Sequence, residues 1–230
     1  MKKITIAIDG FSSTGKSTIA KQLAEALGYV YVDTGAMYRA ITLYALQHGF
    51  IGPDHQDSEA LIADLSNIKL AFQFNPALGF SEMYLNNVNV EKEIRTLEVS
   101  QFVSKVAVLE EVRQKLVELQ QEIGKNKAIV MDGRDIGTVV FPKAELKIFM
   151  TAAPEIRANR RYKELISRGE KVSYKDVLRN VQERDYIDSH REFSPLKKAE
   201  DAIEFDNSTM SASEQFERIC ALADSYIKEQ

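Results

Sequence analysis

The chain has 230 residues, 44% hydrophobic and 28% charged, enough for one large domain with insertions or two small ones. Its formal net charge of -4 argues against a general nucleic-acid or anionic-membrane binder, either of which needs a basic surface field. One cysteine, Cys220, leaves no intrachain disulfide framework, and no apolar run reads as a signal sequence or membrane span, so a cytoplasmic protein is expected.

In chain order, Ile4 to Ile8 is a β-branched run ending in Asp9-Gly10. The apolar residues from Ser17 to Leu27 then fall at helical spacing until Gly28 stops them. Tyr29 to Val32 reads as a second strand, and Asp33-Thr34 can cap a helix running to about His48. Residues 68 to 92 break the rhythm: Ile68, Leu70, Phe72 and Phe74 alternate with polar or small residues. Asn75-Pro76 and Gly79 supply turns, and Tyr84 to Val90 reads as more strand, so a small antiparallel insert is expected. One long helix is expected next, carried by Val99, Phe102, Val103, Val106, Leu109, Val112, Leu116, Leu119 and Ile123. Ala128 to Met131, Leu146 to Met150 and Ile203 to Phe205 have the length of strands buried on both faces of a parallel sheet. Pro154 to Arg168 and Tyr174 to Ile187 read as two helices joined at Gly169, and Ser211-x-x-Glu214 is a capping box opening a last helix, whose apolar stripe would hold Cys220 in the core. Alternating strands and helices imply an α/β fold, a doubly wound parallel sheet with a small antiparallel β insert.

Gly10-Phe11-Ser12-Ser13-Thr14-Gly15-Lys16-Ser17 satisfies G-x-x-x-x-G-K-[ST], after a strand and at a helix start. In such a loop the glycines let backbone N–H groups curl around a β-phosphate, the helix N-terminus adds positive potential, Lys16 bridges the β and γ oxygens, and the Ser17 hydroxyl can ligate Mg²⁺. That points to a nucleoside triphosphate and is silent about any acceptor. Asp132, at a strand end, is a weaker signal for a carboxylate that orients the metal, with a strand-terminal cap as the equal alternative.

Arg134, Arg157, Arg160, Arg161, Arg168, Arg179, Arg184 and Arg191 crowd into one quarter of an acidic chain. Arg157, Arg161 and Arg168 share a helical face with Glu164, and Arg184, Asp188 and Arg191 share another. For any single arginine a solvated, salt-bridged face is the simpler reading. As a set they suit a closing lid that surrounds a transferring phosphoryl group and excludes water. His48, His55 and His190 read as solvent-exposed, and no histidine-based pair is evident to activate an alcohol. A phosphate acceptor, already anionic at pH 7, is therefore favoured. A kinase for a metabolite alcohol, or a nonenzymatic nucleotide switch, stays open on these residues alone.

The pieces together resemble the bacterial cytidylate kinases over nearly the whole length. The residues that carry the resemblance are Gly10 to Ser17, Asp33-Thr34-Gly35-Ala36-Met37-Tyr38-Arg39, Ser104 with Arg113, Asp132-Gly133-Arg134-Asp135-Ile136-Gly137-Thr138 through Pro142, and Arg184-Asp185 through Asp188 and Arg191 to Leu196. The resemblance implies one kinase domain, with an insert of the monophosphate-binding region at 63–96 and a helical lid at 154–172. It implies ATP as donor and CMP or dCMP as acceptor, with Mg²⁺, in a monomer, while the acidic charge already argues against nucleic acid or membrane as partners. Gly10, Ser12, Ser13, Thr14, Gly15, Lys16, Ser17 and Thr18 would bind ATP. Lys16, Arg134, Arg157 and Arg161 would act on the transferring phosphoryl, and Ser17 and Asp132 would serve the metal. Thr34, Arg39, Arg134 and Arg191 would hold the CMP phosphate, Ser104, Arg113 and Asp135 would read cytosine, and Arg184 and Asp188 would face the pentose. Cytosine offers an N4 amino donor for Asp135 and acceptors for Arg113, whereas uracil lacks that donor. Phe11 and Ser13 depart from the family, which commonly has Pro and Gly there, and Ser13 could restrict a loop that glycine would shape freely.

Overall fold

The computed structural model describes residues 2–228. In chain order the elements are β1 Thr5–Gly10, α1 Lys16–Leu27, β2 Val30–Asp33, α2 Thr34–Gln47, β3 Ile51–Gly52, β4 His55–Gln56, α3 Ser58–Asp64, β5 Leu70–Asn75, β6 Phe80–Leu85 and β7 Val88–Asn89. There follow α4 Leu97–Val106, α5 Glu110–Gly124, β8 Ile129–Gly133, β9 Leu146–Thr151, α6 Pro154–Ser167, α7 Tyr174–His190, β10 Ile203–Asp206 and α8 Ala212–Lys228.

The chain divides into two compact units, one running up to Val32 and from Gln121 onward, the other Asp33–Gln120. The single domain with an insert at 63–96 is thus drawn more widely by the contacts. The reason is that α2, α4 and α5 share an apolar core with the antiparallel strands: Met37, Ile41, Ile68, Met83, Ile94, Phe102, Val103, Val112 and Leu116 form one cluster. The segment 154–172 lies wholly in the first unit.

The first unit is built on a five-stranded sheet in the order β10-β9-β1-β8-β2, with β1 parallel to both β8 and β9, and β9 parallel to β10. Strand order reverses on either side of β1, the doubly wound arrangement in which ligands sit beyond the strands' carboxyl ends. Ile4, Ile6 and Ile8 alternate onto one face, where Ile19 and Leu23 of α1 and Ile219 and Ala223 of α8 cover them. Asp9 takes the opposite face, against a single wide turn over Ile136–Val140. Ser211 caps α8, its Oγ accepting from the Glu214 N–H at 3.2 Å, as the capping box predicts. Cys220 is half-buried at the rim of this core rather than inside it.

The second unit differs from the sequence reading in two places. The expected strand 84–90 is split, because Asn86 and Asn87 both take positive φ, 48° and 68°, the requirement of a tight two-residue hairpin turn between β6 and β7. The expected long helix is two, α4 and α5. In one continuous helix the three steps of three residues from Val103 to Val112 would carry the apolar stripe about half a turn around the axis. A break after Val106 lets Val103 and Val112 enter the same core, and Arg113 Nη1 closes it by donating to the Ala107 carbonyl at 3.0 Å.

Candidate active site

Backbone geometry makes the loop from Gly10 to Ser17. Gly10 has φ 144°, and a Cβ there would lie 2.0 Å from the Met150 carbonyl oxygen, so the loop leaves the sheet against the backbone of β9. Gly15 has φ 93° and starts α1, whose first turn carries no acidic residue to counter its positive end. Ser13 takes φ 60°, the left-handed region that glycine would enter freely, so the departure at this position is accommodated at a strain cost. Phe11 has its own anchorage: its ring meets Phe149 edge-on at 5.9 Å and lies beneath the Arg157 guanidinium at 5.2 Å. Within the loop, Lys16 Nζ donates to the Phe11 carbonyl at 2.6 Å and Thr14 Oγ1 to the same oxygen at 3.1 Å. Ser17 and Thr18 face outward at the head of the helix.

Asp132, at the end of β8, accepts from Ser17 Oγ at 2.9 Å and, on its other oxygen, from the Tyr31 hydroxyl at 2.9 Å. Among the described residues no three His, Cys, Asp or Glu side chains gather to hold a metal. One hydroxyl beside one carboxylate suits a hard cation that draws its other ligands from phosphate and water, so these residues fit Mg²⁺.

Around this pair the first unit gathers cations. Arg134 Nε donates to Asp188 Oδ2 at 3.0 Å, Arg191 Nη1 lies 3.7 Å from Oδ1 of the same carboxylate, and Arg184 is buried beside them. Burial would raise the Asp188 carboxyl, but Arg134, Arg184 and Arg191 together hold it below the usual range. Burial, and next the Arg134 cation, push Arg184 down to about 10 and drive the Lys16 amine well below its ordinary value, with Asp132 and Asp9 pulling Lys16 the other way. Cations crowded closely enough for one to depress its neighbours are a site for a polyanion.

Asp135 is buried directly after Arg134 and makes no side-chain cap on the following turn. That turn is held instead by Asp9, which accepts from the Ile136 N–H at 2.8 Å and the Gly137 N–H at 2.7 Å. Burial pushes the Asp9 carboxyl up to about 6, against those two N–H groups.

Arg157, expected to project from a lid, is buried: it donates to the Ser12 carbonyl at 3.1 Å and to the Ala152 carbonyl at 2.8 Å, and pairs with Asp185 at 2.6 Å. Arg161 and Arg168 both reach Glu164, the salt-bridged face that spacing allowed, although Arg161 also lies near enough to lower Arg184.

The second unit holds the remaining predicted residues. Thr34 opens α2 and is buried. Its neighbour Asp33 caps that helix by accepting from the Ala36 N–H at 3.0 Å and pairs with Arg95 at 2.7 Å. Burial opposes ionisation of Asp33, but Arg95 keeps it below the carboxylate range. Arg39 reaches the Ile94 carbonyl at 3.2 Å. Ser104 is buried on α4, and the buried Arg113 guanidinium lies over the Tyr38 ring at 5.2 Å. His48, His55 and His190 are exposed, as expected.

Asp9, Tyr31, Arg95 and Asn207 contribute to these sites without having been singled out, and Arg160 was counted only among the crowded arginines. Only Asp9, closing the strand before the loop, carried any local signal.

The match to known proteins agrees with this geometry. The family model described as cytidylate kinase matches residues 6–225. A protein of Flavobacterium johnsoniae named cytidylate kinase is 68% identical over 228 residues, 99% of each chain. One from Flavobacterium psychrophilum with the same name is 68% identical over 96% of this chain and 98% of its own. One from Bacteroides thetaiotaomicron, also so named, is 55% identical over the full length of both. A phosphate loop backed by a hydroxyl–carboxylate pair and a guanidinium cluster, in a sequence matched from end to end in this way, places the chain in the cytidylate kinase family.

Proposed function

We propose that this chain transfers the γ-phosphoryl group of ATP to CMP or dCMP, giving CDP or dCDP and ADP, with Mg²⁺, as a cytoplasmic monomer. The observation that carries the reading is the crowding of Lys16, Arg134 and Arg184 beside the Gly10–Ser17 loop, where Arg134 lowers both Arg184 and Lys16, in a chain of this family. No helix among the described residues is long and apolar enough to cross a membrane.

In this reading the loop amides and Lys16 hold the β- and γ-phosphates, and an oxygen of the CMP phosphate attacks the γ-phosphorus as the bond to the β-bridging oxygen breaks. The acceptor oxygen is already anionic, so no general base is needed. Ser17 and Asp132 would hold Mg²⁺, which supplies charge neutralisation at the phosphate oxygens. Arg134 and Arg184 stabilise charge on the equatorial oxygens, and Arg161 is positioned to join them. Arg157 acts from beneath, fixing the loop through the Ser12 carbonyl. Within the first unit, Arg134 and Arg191 bind the acceptor phosphate, and Arg184 and Asp188 the pentose. Asp135 accepts from the cytosine N4 amine. Uracil would leave Asp135 without its donor, a penalty of ~1–3 kcal/mol.

The test is ADP release with Mg-ATP across a panel of monophosphates. CMP and dCMP should turn over well ahead of UMP, AMP and dTMP, and Asp135→Ala should narrow the gap between CMP and UMP. Turnover on AMP or dTMP with none on CMP would refute the reading.

A further inference from the structure

Asn207, the residue after β10, has no solvent exposure, and its side chain is committed at every polar position. Nδ2 donates to the Thr14 carbonyl at 2.7 Å and to Gln215 Oε1 at 2.8 Å, while Oδ1 accepts from Arg160 Nη1 at 3.0 Å. The orientation of the amide is over-determined. Gln215 spends its own Nε2 on the Met210 carbonyl at 3.1 Å and so must present oxygen to Asn207. Arg160 presents only donors, and also gives Nη2 to the Asn207 carbonyl at 2.9 Å. The backbone of Asn207 is held too, its N–H donating to the Thr151 carbonyl at 3.0 Å.

The consequence falls on the phosphate loop. Thr14 O receives two donors, Asn207 Nδ2 and Arg160 Nη1 at 3.2 Å, which occupy both of its lone pairs. In a planar trans peptide the C=O and the next N–H point in opposite directions, so a Thr14 carbonyl pinned toward Asn207 turns the Gly15 N–H the other way. Gly15, at φ 93°, has no side chain to resist or guide that orientation, so the peptide plane is set from outside the loop. We propose that Asn207, seconded by Arg160, is a positioning residue for the β-phosphate of a nucleoside di- or triphosphate: it presets the Gly15 N–H as a phosphate donor. The inference rests on reading Gly10–Ser17 as the ATP-phosphate loop.

Asn207→Asp is the sharpest variant. It preserves shape and the acceptor for Arg160, but turns an oxygen toward the Thr14 and Gln215 oxygens. Mg-ADP affinity by calorimetry and the KM for ATP should weaken about tenfold or more, while the KM for CMP stays within about twofold. Arg160→Met, which keeps the side-chain stem, should show the same split and decides the matter should Asn207→Asp fail to fold. ADP affinity within about twofold of the parent in the folded variants, or equal losses for ATP and CMP, overturns the proposal. Lys16→Met separates the two levels: full ATP turnover in that variant would overturn the loop assignment and this inference with it. Lost turnover there alongside normal ADP affinity in Asn207→Asp and Arg160→Met would overturn this inference alone.

Discussion

Arg134 Nε and Asp188 Oδ2 meet at 3.0 Å, and Asp188 is the carboxylate that Arg134, Arg184 and Arg191 share. Removing it leaves buried guanidinium groups facing one another, which costs more than the pair itself contributes. Asp188→Asn should lower unfolding stability by ~3 kcal/mol, and sulfate or phosphate should restore part of the loss by supplying the missing anion. Because its folded value lies below the ordinary 3.8, the stability that Asp188 contributes is complete above about pH 4 and is lost as pH falls further. Urea unfolding in sulfate and in chloride at matched ionic strength measures the effect. Equal stability in both salts would show that the cluster has no anion deficit.

Asp9 gives the opposite sign. Its folded value of about 6 lies above the unfolded 3.8, so between those values the folded state holds a proton that the unfolded state releases. The contribution is complete below pH 4 and falls away as pH rises through 6, by at most about 3 kcal/mol. Asp9→Asn cannot lose a proton, so its stability should rise relative to wild type between pH 4 and 7. It also sets an amide N–H against the Ile136 or Gly137 N–H, which should loosen the turn beside Asp135. Parallel stability curves for the two proteins across that range would refute the assignment.

Which of these features the sequence carries follows from distance along the chain. The phosphate loop was legible because its requirements are local: Gly10 and Gly15 for backbone shape, Lys16 and Ser17 at a helix start. The parallel strands were legible from β-branched runs, and Ser211 from its partner three residues on. Asp9 acts on residues 127 and 128 positions later, Asn207 on Thr14 at a separation of 193, and Tyr31 on Asp132 at 101, and no periodicity connects such pairs. Arg157 shows a second limit: helical spacing placed it on a face with Arg161 and Glu164 but not which way that face turned, and it turned toward Ser12. The break between α4 and α5 hid because each three-residue step is helical by itself, and only their sum rotates Val112 away from Val103.

Two opposite changes in the one loop, a Cβ added at Gly10 and one removed at Ser13, should move stability in opposite directions. Gly10→Ala puts a Cβ 2.0 Å from a backbone oxygen of β9, which neither chain can yield cheaply, and should cost about 3 kcal/mol or more. Ser13→Gly removes a Cβ from a residue at φ 60°. Relief of about 1–2 kcal/mol of left-handed strain, set against the greater freedom of glycine in the unfolded chain, leaves the variant between unchanged and about 1 kcal/mol more stable. Denaturant midpoints of the two variants test the contrast, and a destabilised Ser13→Gly would mean the serine makes a contact worth more than its strain.

Lys16 separates folding from chemistry. It is buried, its amine is depressed by burial and by Arg134, and its hydrogen bonds go to the Phe11 carbonyl and Thr14 hydroxyl of its own loop rather than to the core. Lys16→Met keeps the length of the side chain and deletes the charge, so the unliganded protein loses a costly buried cation and should be at least as stable as wild type. Turnover should fall on the order of 10³-fold, because the group that bridges the β and γ oxygens acts on charge developing in the transition state. Thermal unfolding beside steady-state ADP release gives both readouts from one preparation. A variant that unfolds earlier yet turns over normally would make Lys16 a structural residue and move the catalytic charge onto Arg134 and Arg184.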